Sequence, residues 1–111
     1  MTEPAATPLV VGVATEPDGP IVLASGELDL STVDRLVEMA TGQIQGGPAR
    51  LTVDLAGVSF CDSAGINGLV KIRNASSAAG WSFRLINLSP ELDRVVCDLT
   101  GLGEFLGVVR A

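Results

Sequence analysis

The segment Phe60 to Gly68 reads FCDSAGING and places the hydroxyl of Ser63 directly after the carboxylate of Asp62. A serine in this setting has three interpretations. It can cap a following helix, because its oxygen accepts hydrogen bonds from free backbone N–H groups. It can act as a nucleophile, which requires a neighbouring base and donors for an oxyanion. It can also be a hydroxyl that another protein modifies.

The nucleophile interpretation finds little support in the rest of the chain. There is no histidine and no tyrosine, which removes the commonest general base, the commonest zinc ligand and any Ser-His-Asp triad. The G-x-S-x-G sequence of hydrolases is absent. The glycines at 101 and 103 follow a predicted helix rather than a strand, so they do not indicate a nucleotide cradle. A small serine-dependent hydrolase is the weaker alternative, and we expect no catalytic residue, no metal and no cofactor.

Apolar periodicity predicts the elements that position Ser63. Apolar runs at 9–15 and 21–28 flank turn residues and indicate a β-hairpin. A strand from Arg50 leads into Ser63, and helical spacing after Ser63 continues to Gly80.

Two further helices complete the pattern. The first follows Asp29 and Ser31, whose oxygens are expected to cap it, and ends near Gly46. The last follows a strand at 83–88 and starts at Ser89 and Pro90, with an apolar stripe of Leu92, Val95, Val96 and Leu99. The order β-β-α-β-α-β-α, with a short C-terminal apolar segment, predicts one α/β domain with a mixed, mostly parallel β-sheet packed against helices. We expect residues 1–8 to be a flexible tail and residues 9–111 to form the domain.

Charge and hydropathy narrow the class of partner. The net charge is −6, and residues 1–49 hold seven acidic side chains against one basic side chain. Nucleic acid is therefore not expected as a partner, and a protein with a basic surface is favoured. The apolar runs are far shorter than the ~20 residues of a membrane span. The N-terminal MTEPAATPLV has no basic region typical of a secretory signal, so we expect no membrane association and a cytoplasmic location.

Three segments together resemble the STAS-domain anti-sigma factor antagonists, also called anti-anti-sigma factors. They are SGELD at 25–29, LTVDLAGVSFCDSAGI at 51–66 and CDLTGLGEFL at 97–106. The resemblance implies that Ser63 is phosphorylated by a cognate anti-sigma factor with serine kinase activity, which binds the ATP. It also implies that the unphosphorylated form binds the anti-sigma factor and releases a sigma factor, and that a phosphatase reverses the modification. A STAS scaffold module of a signalling complex is the alternative within the same class.

The resemblance also indicates which residues contact the partner. Asp29 and Asp62 end two predicted strands, and we expect them to lie on the same face as Ser63. The expected partner-binding residues are Asp29, Asp62, Ser63, Ala64, Gly65 and Ile66.

The two cysteines, Cys61 and Cys97, suggest a separate hypothesis. Free buried thiols are the default in a cytoplasmic protein. Cys61 precedes the start of a helix, which favours the thiolate, although the charge of Asp62 opposes this. Cys97 is expected to lie off the apolar stripe of its helix and to be partly accessible. If the sulfurs approach each other, a disulfide would form a redox pair that blocks partner binding.

Overall fold

The structure is a computed structural model that describes residues 8–109, and it confirms the predicted order of elements. The strands and helices are β1 (Val10–Glu16), β2 (Gly19–Leu28), α1 (Val33–Thr41), β3 (Arg50–Cys61), α2 (Ser63–Ala78), β4 (Ser82–Ile86) and α3 (Pro90–Asp93), which a π-helical segment (Arg94–Leu99) continues. The predicted tail falls on residues 1–7, which lie outside the described residues, and on Pro8, which is exposed. The predicted domain is described up to Val109.

The four strands form one mixed sheet in the order β1-β2-β3-β4. β1 is antiparallel to β2 through a two-residue loop that pairs Glu16 with Gly19. β2, β3 and β4 are parallel, so α1 and α2 are the crossovers that parallel neighbours require. The predicted mixed, mostly parallel sheet is therefore confirmed.

The C-terminal apolar segment extends the sheet beside β4. Leu85 forms a parallel bridge with Val108, and its N–H donates to the carbonyl of Gly107 at 3.0 Å. Leu106 is fully buried. The segment therefore covers the outer edge of β4.

A single apolar core lies between the sheet and helices α1 and α2. Its largest fully buried apolar members come from every layer: Val22, Leu28, Leu36, Leu51, Val53, Leu55, Leu69, Ile72, Leu85, Val96 and Leu106. Gly68 lies where α2 packs against α1, and a Cβ there would clash with Val33. This close approach fixes α2, and with it Ser63, relative to α1.

Two predicted boundaries are corrected. α1 ends at Thr41 rather than near Gly46, because the N–H groups of Gln43 and Ile44 bond to carbonyls three residues back and tighten the last turn. β4 ends at Ile86 because Asn87 has a φ of 60°, which turns the chain away.

The last predicted helix is α-helical only over Pro90–Asp93, and Arg94–Leu99 is π-helical. The predicted cap is confirmed, since Ser89 Oγ accepts from the N–H of Leu92 at 3.1 Å. Within residues 8–109, no helix is long and apolar enough to cross a membrane.

Candidate functional site

Two strand-to-helix turns meet at one edge of the sheet. Leu28 at the end of β2 pairs with Cys61 at the end of β3, and the N–H of Asp62 donates to the carbonyl of Leu28 at 3.2 Å. Asp29 and Asp62, the next residues on each strand, therefore lie at the same sheet edge. This placement is consistent with the prediction that Asp29 and Asp62 lie on the same face as Ser63.

In the β3–α2 turn, Asp62 is the residue that caps the helix. Its backbone is extended, with φ −98° and ψ −172°, and its Oδ1 accepts from the N–H of Gly65 at 3.0 Å. This is the usual bond between an N-cap side chain and the third helical residue. Ser63 is the first helical residue and is exposed. The interpretation of Ser63 as the cap is therefore wrong.

The hydroxyl of Ser63 remains free of this network. Within residues 8–109, no hydrogen bond to Ser63 Oγ is present. Ser63 lies in the first turn of α2, a helix of 16 residues. The backbone N–H groups and the dipole of such a helix end favour negative charge.

The β2–α1 turn is longer and its hydroxyls are engaged. Asp29 Oδ1 accepts from the N–H of Ser31 at 2.9 Å and from its hydroxyl at 2.7 Å. The hydroxyl of Thr32 donates to the carbonyl of Glu27 at 2.8 Å. The hydrogen bond from the Ser31 hydroxyl is the main reason that the pKa of Asp29 lies below its usual 3.8.

The expected caps of α1 are also corrected. α1 begins at Val33, and its N-cap is Thr32, which makes no side-chain capping bond. The carboxylate of Asp29 instead stabilises the turn by bonding Ser31. The backbone carbonyl of Asp29 accepts from the N–H of Val33 at 2.9 Å.

The other residues expected to bind the partner differ in exposure. Ala64 is half-buried, whereas Gly65 is buried and Ile66 is only 6% exposed. A Cβ on Gly65 would lie 2.7 Å from both Cys61 Sγ and the carbonyl oxygen of Leu28. Gly65 therefore lets the two turns pack closely, and it offers almost no surface.

Two exposed apolar side chains at the same edge were missed by the sequence analysis. Leu30 is 79% exposed and lies between Asp29 and Ser31, and Phe60 is 51% exposed near the end of β3. An apolar residue within a polar turn, as in the sequence LDLS, is a signal that could have identified Leu30.

Neither Cys61 nor Cys97 is in a disulfide, and both are half-buried. Burial and, to a lesser degree, the negative charge of Asp62 raise the pKa of Cys61 to about 11. The thiolate expected from the helix N-terminus is therefore disfavoured at Cys61. Cys97 packs close to Gly103, on which a Cβ would lie 2.6 Å from the sulfur. The redox pair stays a prediction.

Residues 8–109 contain no group of three or more histidine, cysteine, aspartate or glutamate side chains that could hold a metal ion. The geometry at this edge is that of a small surface built from turns, carboxylates and one free hydroxyl.

Comparison with known proteins places this chain in a family. The sequence model of the STAS domain matches residues 13–110, so the chain belongs to the STAS domain family. Within that family it groups with the anti-sigma factor antagonists. It is 32% identical over 87 residues to the anti-sigma-B factor antagonist of Staphylococcus epidermidis, which covers 78% of this chain and 80% of the relative.

Solved structures support the same fold. An anti-sigma factor antagonist from Mycobacterium paratuberculosis superposes with a TM-score of 0.76 at 23% identity, covering 93% of this chain and 86% of that chain. The phosphorylated form of the Bacillus cell fate determinant SpoIIAA has a TM-score of 0.59 at 23% identity, covering 91% of this chain and 92% of that chain.

Proposed function

We propose that this protein antagonises an anti-sigma factor and is switched by phosphorylation of Ser63. The unphosphorylated form binds the anti-sigma factor in the cytoplasm and releases a sigma factor. The anti-sigma factor acts as the kinase and supplies the bound ATP, and a phosphatase restores the active form. The observation that carries the proposal is the exposed, unbonded hydroxyl of Ser63 in the first turn of α2.

Electrostatics give the switch a physical basis. A phosphate adds about −1.5 to −2 charges and three acceptor oxygens beside the carboxylate of Asp62. The N-terminus of α2 can stabilise that phosphate in the free protein, so the fold need not change. A partner that packs on Ser63 would instead have to desolvate the charge, which weakens binding unless a cation is present.

The proposed contact surface follows from exposure. We assign direct contacts to Asp29, Leu30, Asp62, Ser63 and Ala64, with Leu30 as the apolar anchor. Gly65 and Ile66, being buried, support the surface from beneath rather than contacting the partner. The acidic side chains favour a basic patch on the anti-sigma factor.

The experiment is a binding titration with the anti-sigma factor of the source organism. Ser63→Ala should bind as tightly as the unmodified protein, and Ser63→Glu should bind at least about tenfold more weakly. Incubation with the anti-sigma factor and ATP should add the mass of one phosphate to a peptide that contains Ser63. That phosphorylated protein should then fail to bind.

A matched control separates the effect of a charge at position 63 from the effect of the protein's net charge. Ser77 is an exposed serine near the opposite end of α2, so Ser77→Glu adds the same charge far from the proposed surface. It should bind normally. Equal affinity of Ser63→Glu and Ser77→Glu would contradict the proposal, as would phosphate on a different residue.

A further inference from the structure

The edge of β3 beyond Asp54 is open. β3 runs to Cys61, but its pairing with β4 stops where Asp54 meets Ile86. Asn87 then turns the chain away, and its side-chain amide donates to Asp54 Oδ2 at 3.0 Å, which fixes the point of departure. Among residues 8–109, no strand pairs with this side of β3 from residue 55 to residue 61.

A mostly apolar groove replaces the missing strand. One wall is formed by four consecutive residues of β3, which are Val58, Ser59, Phe60 and Cys61. The other is formed by Ser89, which caps α3, and by Glu91, Leu92 and Val95 of α3 and its π-helical continuation. Because side chains alternate between the two faces of a strand, four consecutive residues can line one cavity only if the strand's backbone edge borders it.

The size of the groove indicates its occupant. Its volume is about 170 Å³, well below the ~300 to 1,000 Å³ of cavities that hold drug-sized molecules or cofactors. A second depression of about 400 Å³, lined by Pro90, Glu91, Arg94, Val95 and Leu99, adjoins it on the helix and shares Glu91 and Val95 with it. No β3 residue lines this second depression, so only the first part of the groove borders the strand edge. That first part accommodates an extended chain, which needs room for alternate side chains only.

We propose that this groove binds an extended peptide segment of a partner protein, which adds as a strand to the open edge of β3. Free backbone N–H and C=O groups on a strand edge recognise another strand, and the apolar wall of α3 receives alternate side chains. Glu91 is the only charged residue in the first part of the groove, so the segment carries a lysine or arginine at that position. This inference goes beyond the proposed function and does not depend on Ser63.

The test is an NMR titration of the isotope-labelled full chain with a set of synthetic eight-residue peptides. Each peptide alternates an apolar residue (valine, leucine, isoleucine or phenylalanine) with threonine and carries one central lysine. Binding should shift the amide signals of residues 57–61 and 91–95. The N–H of Ala56 already donates to Asp54 Oδ1 at 2.9 Å, so hydrogen exchange should slow only at alternate residues of 57–61.

Backbone methylation provides the matched control. The best peptide is made twice, with N-methyl groups on alternate amides in each of the two possible registers. The methyl groups block pairing in one register and point away from β3 in the other, so one peptide should lose binding and the other should keep it. Equal binding of both, or no shift with any peptide at millimolar concentration, would overturn the proposal.

Two variants test the groove walls. Val95→Asp should abolish binding, whereas Val13→Asp, on the opposite edge of the sheet, should not. Glu91→Lys should lower the affinity for the lysine peptide about threefold. A peptide with glutamate in place of the lysine should recover that affinity, which shows that the variant is folded. Shifts centred on β1 instead of β3 would assign strand addition to the other edge and would also overturn the proposal.

Discussion

The β2–α1 turn and the β3–α2 turn each connect a buried parallel strand to a helix, but they differ in which groups bond the backbone. In the β3–α2 turn the helix follows at once, and the carboxylate of Asp62 bonds the N–H of Gly65. In the β2–α1 turn four residues intervene, and the carboxylate of Asp29 is occupied by Ser31. Only the β3–α2 turn has a carboxylate as its helix cap.

This difference determines which hydroxyl is available. Ser31 and Thr32 both donate hydrogen bonds inside their turn, so modification of either would break a bond. Ser63 has no such bond within residues 8–109, because Asp62 already satisfies the helix end. A phosphate can therefore be added at Ser63 with little structural loss, which fits the proposed switch.

The largest change in stability should come from filling the space between the two turns. Gly65→Ala places a Cβ 2.7 Å from Cys61 Sγ and from the carbonyl oxygen of Leu28. Because one of these neighbours is backbone, the turns must move apart, and we expect the free energy of unfolding to fall by about 1–3 kcal/mol. Urea denaturation measures this change.

Gly12→Ala is the control, since no atom lies within 4 Å of a Cβ at that position. It should change stability little. Adding Cys61→Ala to Gly65→Ala should recover only part of the loss, because the carbonyl of Leu28 remains. Full recovery would show that the sulfur alone limits the packing.

The next effect concerns the thiol of Cys61, which directly precedes the β3–α2 turn. With a pKa of about 11 against an ordinary 9.0, Cys61 has about a hundredfold less thiolate at pH 8. Higher intrinsic nucleophilicity offsets part of this, so alkylation of Cys61 should be about tenfold slower than in the unfolded chain. Mass spectrometry of Cys97→Ser with iodoacetamide, with and without urea, measures the ratio.

Asp62→Asn should accelerate that alkylation, because it removes the second cause of the raised pKa. Alkylation that is equally fast in the folded and unfolded chain would contradict the prediction. Slow reaction of Cys61 would also count against the hypothesis that Cys61 and Cys97 form a redox pair, since thiolate is the reactive species.

A smaller effect tests the assignment of the cap. Asp62→Ala should lower the free energy of unfolding by about 1 kcal/mol, because the N–H of Gly65 loses its acceptor. Ser63→Ala should change it by less than about 0.5 kcal/mol, as expected for an exposed side chain without bonds. Both are measured by urea denaturation. A larger loss in Ser63→Ala than in Asp62→Ala would mean that the cap was assigned to the wrong residue.

The sequence predicts the sheet and the place of Ser63 well, because apolar residues alternate in Arg50–Cys61, the strand that leads into Ser63, and follow helical spacing most clearly in Val33–Thr41. It cannot decide which of two adjacent capping residues bonds the helix. Asp62 and Ser63 are both favoured N-cap types, and only the backbone conformation of Asp62 distinguishes them.

Exposure was harder to predict than secondary structure. Gly65 and Ile66 belong to the same motif as Ser63, yet their burial depends on Leu28 in another strand. The open edge of β3 was likewise hidden in the sequence, because it arises from the turn at Asn87 rather than from the residues of β3.

The smallest effect concerns acid titration of the longer turn. The hydroxyl of Ser31 is the main cause that lowers the pKa of Asp29 below 3.8. Since the folded pKa is lower than the unfolded one, the carboxylate stabilises the fold above about pH 4, and this contribution is lost as the pH falls through the folded pKa. Carbon-13 NMR of the side-chain carboxyl should give a midpoint for Asp29 below 3.8. Ser31→Ala should move that midpoint upward, whereas Ser77→Ala, far along α2, should leave it unchanged. A midpoint unaffected by Ser31→Ala would show that the hydroxyl of Ser31 is as free as that of Ser63, and the contrast between these two serines would then be wrong.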